Sequence, residues 1–365
     1  MDYITNKRVS RRIPHIDLAA GVMILWMITY HAIGYSWSFE LQEFWGIKDI
    51  YQLPEGLHVF INVEGKLEPL NPCVIFPYLC FFMPWFFYKS GQFFRKRPWK
   101  EQLNKDARKL LLTFVIWSVI GYVMFLAFGM LQHTLTLRSA TYSIVRGLFL
   151  TGKVPLNEPL WFLLTLFGVR FMANLTLPEK DEKYYIAKIL ILALMGYIVA
   201  YLAYRFNHRL LPYWAANGAA GFSFFVLGYG LKEYENKWWL IIPCLLVYIV
   251  CCFTGFSMVD MMFNKLIAGH YLLWIPVALC GIVTFNTICR FTCKYISVRP
   301  IEIVGQNAMT IYVTHILILL TIQFVITYFE ITTLYPYMLW MYLIGYVAFL
   351  PLLCQFVPNQ YKKKS

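Results

Sequence analysis

The chain has 365 residues, 59% hydrophobic, 19% aromatic and only 14% charged, with a mean hydropathy of +0.57 and a formal net charge of +13. Soluble domains are closer to half apolar and about a quarter charged, so this composition excludes an ordinary soluble domain and predicts an all-α polytopic membrane protein. Such a positive charge also suits nucleic acid, but in a membrane chain the basic residues are first sorted by membrane side.

Hydropathy predicts ten spans within a single membrane domain covering 1–365. They lie at about 15–35, 72–94, 110–131, 159–177, 184–204, 211–231, 238–257, 268–288, 303–328 and 335–357. With the N-terminus inside, 24 of the 32 Lys and Arg fall on the inner side, which predicts both termini cytoplasmic. Topology and anionic lipid then account for the charge without a nucleic-acid partner. Lys7, Arg8, Arg11 and Arg12 precede an apolar run of signal-peptide character. Its length of about twenty residues, with no small-x-small cleavage site, predicts an uncleaved first span.

That first span holds Asp17 and His31. Fourteen residues make close to four turns, so both lie on one face, about 21 Å apart along the axis. An ionisable group at membrane depth costs about 2.5 kcal/mol or more, which makes function the default reading. The bland alternative has Asp17 capping the helix and His31 bonding a neighbour. A neutral imidazole suits removal of a proton from a hydroxyl near neutral pH. Asp17 is too distant to be its direct partner.

The external segment 36–71 is acidic and aromatic, and Pro54, Gly56 and Gly65 argue against a long helix there. The second span ends in PWFFYKSGQFFRKRPWK (84–100), where Lys89, Ser90 and Gly91 interrupt the apolar run. One reading is a stop-transfer end with a snorkelling lysine. The other is a cytoplasmic basic rim of Arg95, Lys96, Arg97, Lys105, Arg108 and Lys109 that receives phosphates. Residues 132–158 form a second external loop, with a short interfacial helix expected at 142–150. Trp161 enters the fourth span behind Pro159, a helix-start proline, and belt anchoring explains it. Trp37, Trp45, Trp214, Trp238, Trp239 and Trp274 are also read as belt residues. The ninth span opens unusually polar, VGQNAMTIYVTHI (304–316), where interhelical glue is the usual role. The nine cysteines lie almost entirely in apolar runs, and no His or further Cys completes a metal pattern around Cys289 and Cys293. Phosphate-binding Gly loops and Gly-x-Ser-x-Gly elbows are absent from the sequence.

Five segments, in order, resemble the integral-membrane acyltransferase-3 family of bacteria. They are Arg12 with Ile16-Asp17, Gly21 and His31; Phe81 to Phe94 with its Ser-Gly; Leu160-Trp161-Phe162-Leu163; Phe222 to Lys232 closing on Gly-Tyr; and Gly305-Gln306-Asn307-Ala308 with Ile311-Tyr312 and His315. The resemblance covers about residues 12–357. It implies transfer of an acyl group, typically acetyl, from cytoplasmic acetyl-CoA or another acyl-CoA to a hydroxyl of an extracytoplasmic glycan or related acceptor. It also implies a bacterial cytoplasmic (inner) membrane, acyl-CoA as co-substrate, no tightly bound cofactor and no metal. His31 is the catalytic candidate. Arg12, Asp17, Lys89, Ser90, Arg95, Lys96, Arg97 and Arg108 are donor-binding or structural candidates, and Trp161, Asn307, Tyr312 and His315 are core-motif candidates. Family members usually carry a basic residue eleven positions before the histidine; here that position is Ala20. Lys89, Arg12 or another inner cation substitutes for it, the donor geometry differs, or the chain is a non-catalytic relative. A transporter or flippase is the alternative from another class, opposed by the lack of inverted-repeat symmetry or matched broken helices.

Overall fold

The computed structural model describes residues 13–36, 60–63, 66–69, 79–206, 211–254, 259–260, 265–266, 271–329, 331, 341 and 344–346. Within them the chain is helical apart from two short antiparallel pairs, β1 (Phe60–Val63) with β2 (Lys66–Pro69) and β3 (Val259–Asp260) with β4 (Lys265–Leu266). The helices are α1 (Pro14–Ser36), α2 (Phe82–Gln92), α3 (Trp99–Leu131), α4 (Leu137–Arg146), α5 (Trp161–Thr176), α6 (Tyr185–Arg205), α7 (Tyr213–Gly230), α8 (Trp238–Thr254), α9 (Tyr271–Tyr295), α10 (Arg299–Gln306) and α11 (Ala308–Tyr328).

Helices occupy nine of the ten predicted span positions; most of the tenth, and residues 72–78 of the second, lie outside the described residues. Five stretches are long and apolar enough to cross a membrane: Trp99–Leu131, Glu158–Thr176, Tyr185–Arg205, Leu273–Tyr295 and Ala308–Ile326. The apolar stretches Pro14–Thr29 and Trp238–Cys251 are shorter. Outward rows such as Leu112, Val115, Val119 and Val123 on α3 are exposed, as are Leu190, Ile191, Leu194 and Ile198 on α6. In a bilayer such rows face the acyl chains.

Several expectations change. The helix containing the third span begins at Trp99, so Lys105, Arg108 and Lys109 lie on a helix, the last two in a π-turn over Ala107–Leu111. The predicted ninth span is two helices, broken at Asn307. That residue leaves helical geometry (φ −107, ψ 17), and its Nδ2 donates at 2.8 Å to the Ile303 carbonyl, which also accepts the Asn307 amide at 3.2 Å. The expected interfacial helix starts earlier, at Leu137, where the Thr136 hydroxyl accepts from the Ser139 amide. It runs on through a π-turn at Gly147–Thr151.

The tryptophans also divide. Trp238 and Trp239 are exposed, as belt residues would be, whereas Trp161 and Trp274 are buried. The Trp274 indole nitrogen donates to the Cys80 carbonyl at 3.2 Å, which is why its polar end tolerates the interior. Trp214 is half-buried, with its indole nitrogen 3.4 Å from the Phe149 carbonyl. Trp37 and Trp45 lie outside the described residues.

Two backbone-level crossings position the site. At the first, α2 and α7 approach so closely that a Cβ on Gly91 would strike the Phe225 carbonyl, and one on Gly228 the Tyr88 carbonyl. Phe87, Tyr88, Phe224 and Phe225 fill the surrounding core. At the second, a Cβ on Gly21 of α1 would strike the Ile301 carbonyl of α10, and one on Gly305 the Asp17 carbonyl. Glycine at all four positions permits the close approach common between membrane helices. After the break at Asn307, α11 follows α1 in the same direction, with Ile311 packed among Ile24, Met27 and Ile28.

Gly228→Ala is expected to destabilise the fold by about 1–3 kcal/mol, because the added methyl meets fixed backbone. Gly168→Ala, whose Cβ would meet only a Trp214 ring carbon at 4.0 Å, is expected to be neutral. Melting temperatures in detergent check the pair, and equal values would overturn the crossing argument.

Candidate active site

His31 and His315 are brought together. The gap between His315 Nε2 and His31 Nδ1 is 3.0 Å, and both rings are buried. His315 Nδ1 lies 2.8 Å from the Tyr312 carbonyl one turn earlier in α11. A carbonyl accepts only, so Nδ1 of His315 carries a hydrogen. A neutral His315 therefore presents an unprotonated Nε2, and His31 must donate to it from Nδ1. This assignment puts the hydrogen of neutral His31 on Nδ1 and makes Nε2 its basic nitrogen, the form required of a proton acceptor.

The supports of the dyad come from the predicted motif segments. The Tyr312 hydroxyl donates to the Pro159 carbonyl, and its ring meets Phe162 edge-on at 5.9 Å between centroids. Asn157 Nδ2 donates to the Val313 carbonyl at 3.1 Å. The turn before α5 is thus fixed to α11 beside His315. Trp161 packs under this turn against Gly152, which needs the left-handed φ of 73° that glycine adopts readily. At the other end of the contact, Gln306 Nε2 donates to Asp17 Oδ2 at 3.0 Å. Asp17 therefore helps dock α10 onto α1, apart from the dyad, and Asn307 closes α10.

Lys89 corrects the snorkelling expectation. It is buried, and its Nζ lies 3.2 Å from Glu235 Oε1 and 2.9 Å from Gln92 Oε1. Glu235 also accepts from Gln92 Nε2 and, at 2.8 Å, from Asn286 Nδ2, while Arg290 Nη2 stands 3.5 Å away. Asn286 Oδ1 in turn accepts from the Trp85 indole at 2.8 Å. Two cations thus face one carboxylate, an excess of one positive charge. Lys89, Arg290 and Glu235 all act electrostatically on His15, at the start of α1. Ala20 is half-buried on that helix.

The basic rim is partly neutralised. Lys96 pairs with Glu179 at 2.9 Å and donates to the Leu177 carbonyl at 2.7 Å, while Arg97 pairs with Glu101. Arg95, Lys105 and Arg108 are exposed, and Lys109 is half-buried. Hydrogen bonds from Lys188 and Lys180 hold the carboxyls of Glu182 and Glu233 below the usual range, so both stay charged at neutral pH. Ser90 lies deeper, accepting from Arg170 Nη1 at 3.2 Å, and Arg170 Nε lies 3.0 Å from buried Asp106. Arg12 lies outside the described residues. Among the described residues, no cluster of His, Cys, Asp and Glu has the makings of a metal site.

Sequence reasoning missed Glu235, Asn286 and Arg290. Glu235 reads as one solvated charge in the KEYENK turn, and only the fold buries it. Asn286 and Arg290 carried a usable signal, being polar residues one turn apart inside an apolar helix.

The family model described as an acyltransferase domain, acyltransferase-3, matches residues 13–355, nearly the whole chain, and the chain belongs to this family. The match and the apolar helices together make it an integral membrane protein of acyltransferase type. No curated protein and no solved structure matches it.

Removing Glu235 would leave Lys89 buried without its counter-charge. Glu235→Ala is therefore expected to cost about 3–5 kcal/mol, far more than breaking an exposed, solvent-screened pair such as Lys180–Glu233. Thermal unfolding of the purified variants checks the contrast.

Proposed function

We propose that the protein is an O-acyltransferase that moves an acyl group, typically acetyl, from cytoplasmic acyl-CoA to a hydroxyl of an extracytoplasmic glycan or related acceptor. The observation that carries this reading is the His31–His315 contact, which leaves a lone pair on His31 Nε2. In the proposed step the acceptor hydroxyl oxygen attacks the thioester carbonyl carbon while His31 Nε2 takes its proton. The C–O bond forms and the C–S bond breaks. The proton passes to the departing thiolate, giving the ester and free coenzyme A. His315 is a positioning residue: it fixes the tautomer of His31 and accepts from its Nδ1–H, as the third member of a catalytic triad does for its histidine.

The donor end falls to the cations that stand in for the missing charge at Ala20. Lys89 and Arg290 act on the first turn of α1 from α2 and α9, and their excess over Glu235 suits an anionic donor. His15 and His31 are sixteen residues apart, about 24 Å along the helix, so a donor reaching both ends is extended. The exposed Arg95, Lys105 and Arg108 supply further charge for phosphates. The resemblance that supports the acyl-CoA donor also supports a bacterial inner-membrane setting.

His31→Ala is expected to lower transfer from labelled acetyl-CoA by about 10²–10⁴-fold while the melting temperature of the purified protein holds. His315→Gln should lower turnover with little change in donor KM, because it disturbs the tautomer and leaves the donor site alone. Ala20→Arg separates a compensated site from an impaired one. We expect no gain in turnover, and a large gain would mean that the natural chain is impaired. Absence of donor binding at millimolar acetyl-CoA would overturn the enzyme reading in favour of transport or a non-catalytic role.

A further inference from the structure

A second polar site lies where the turn after α4 leads into α5. A cavity of about 470 Å³ is lined by Ser143 and Arg146 of α4, Thr151, Lys153 and Glu158 of the following turn, and Tyr213 of α7. That volume is in the range of small-molecule sites, about 300–1,000 Å³. Its walls are fixed at backbone level. A Cβ on Gly147 would strike the Lys153 carbonyl, Val154 and Asn157 form a β-bridge, and both are buried.

The lining chemistry is selective. The Arg146 guanidinium stands 5.8 Å from the centroid of the Tyr142 ring and, among the described residues, makes no ion pair. Stacking of this kind leaves the N–H edge of the guanidinium available for a carboxylate or phosphate. Lys153 Nζ is 3.9 Å from Glu158, at the outer limit of an ion pair, and Glu158 is itself about half exposed. Arg146 and Lys153 both line the cavity beside Glu158. Three hydroxyl-bearing side chains, Ser143, Thr151 and Tyr213, share the wall, together with the Glu158 carboxylate that accepts from sugar hydroxyls. A phosphodiester group would use the cations and accept from the hydroxyls, but it has no donor for the Glu158 carboxylate, which would repel it, whereas sugar hydroxyls donate to that carboxylate.

We propose that this cavity binds an anionic sugar unit, a uronic acid, with Arg146 on its carboxylate. Glu158 continues into Pro159, whose carbonyl is bonded by Tyr312, and the Tyr312 carbonyl holds His315. The cavity wall and the dyad are therefore one hydrogen-bonded unit. A glycan seated here by its acidic unit presents a neighbouring hydroxyl toward His31. Only this last identification, of the bound sugar as acyl acceptor, rests on the acyltransferase reading; the binding does not.

The test is calorimetric titration of the full chain in detergent with a uronic-acid disaccharide and with its counterpart in which both carboxyls are reduced to alcohols. The acid is expected to bind about tenfold or more tightly than the neutral sugar. The preference should vanish in Arg146→Gln, return in part in Arg146→Lys and persist in His31→Ala. Equal affinity for the two sugars, no binding of the acid at millimolar concentration, or an unchanged preference in Arg146→Gln would each overturn the proposal. So would displacement of the acid by phosphatidylglycerol in nanodiscs, which would make the site a lipid one. Loss of the acyltransferase reading alone would show as intact acid binding without acetyl transfer. Loss of the cavity proposal alone would show as transfer with no preference for acidic sugars.

Discussion

The approach of α1 and α10 at Gly21 and Gly305 is the constraint on which the site depends. Carbonyls of each helix occupy the space where a side chain of the other would begin. Backbone meeting backbone leaves no rotamer to adjust, so the relative position of the two helices is fixed. The Asp17–Gln306 hydrogen bond closes the same contact. α11 then starts from a defined point after Asn307 and carries His315 to the level of His31. A shift of one turn in either helix, 5.4 Å, would separate the rings.

Glu235 imposes a second constraint near the start of α1. Its carboxylate gathers groups from α2 and α9 that would otherwise be buried polar groups without partners. Desolvating these charges costs several kcal/mol per ion, offset by the hydrogen bonds from Lys89, Gln92 and Asn286 that converge on the carboxylate. What the arrangement secures is position. Lys89 and Arg290 are held near enough to act electrostatically on His15 in the first turn of α1, in a chain that lacks a cation at residue 20. Charge near the start of α1 and a hydrogen-bonded histidine pair farther along the same helix give its two ends different chemistry.

Much of this was legible in the sequence because membrane helices are long, apolar and nearly free of charge. The helices at nine predicted positions followed from hydropathy, and His31, Tyr312 and His315 stood out as polar groups in apolar runs. The partner of His31 was not legible. It lies 284 residues away, and its contact is set by glycine crossings that leave no periodic trace. Lys89 was seen but misread, because its environment depends on a carboxylate supplied by a distant turn. The break at Asn307 had a signal in the residue type, since asparagine readily hydrogen-bonds nearby backbone and suits helix ends. The hydrophobic continuation past it masked that signal. Trp161 and Trp274 show a limit of the belt rule: proximity to a span end does not say whether a ring turns to lipid or to a neighbouring helix.

The choice of a second histidine beside His31, where a carboxylate would serve in a soluble triad, follows from the medium. A lone buried carboxylate would have to be desolvated permanently, and in the resting state no positive charge stands beside it in return. A neutral imidazole orients the same Nδ1–H and fixes the same tautomer while keeping the resting pair uncharged. It stabilises a developing imidazolium less than a carboxylate would, through its dipole rather than a full charge. A site built this way favours a transition state in which positive charge on His31 is brief and matched by negative charge on the attacking oxygen. The thioester donor we propose would meet that demand, because its thiolate would accept the proton and leave no ion in the membrane interior.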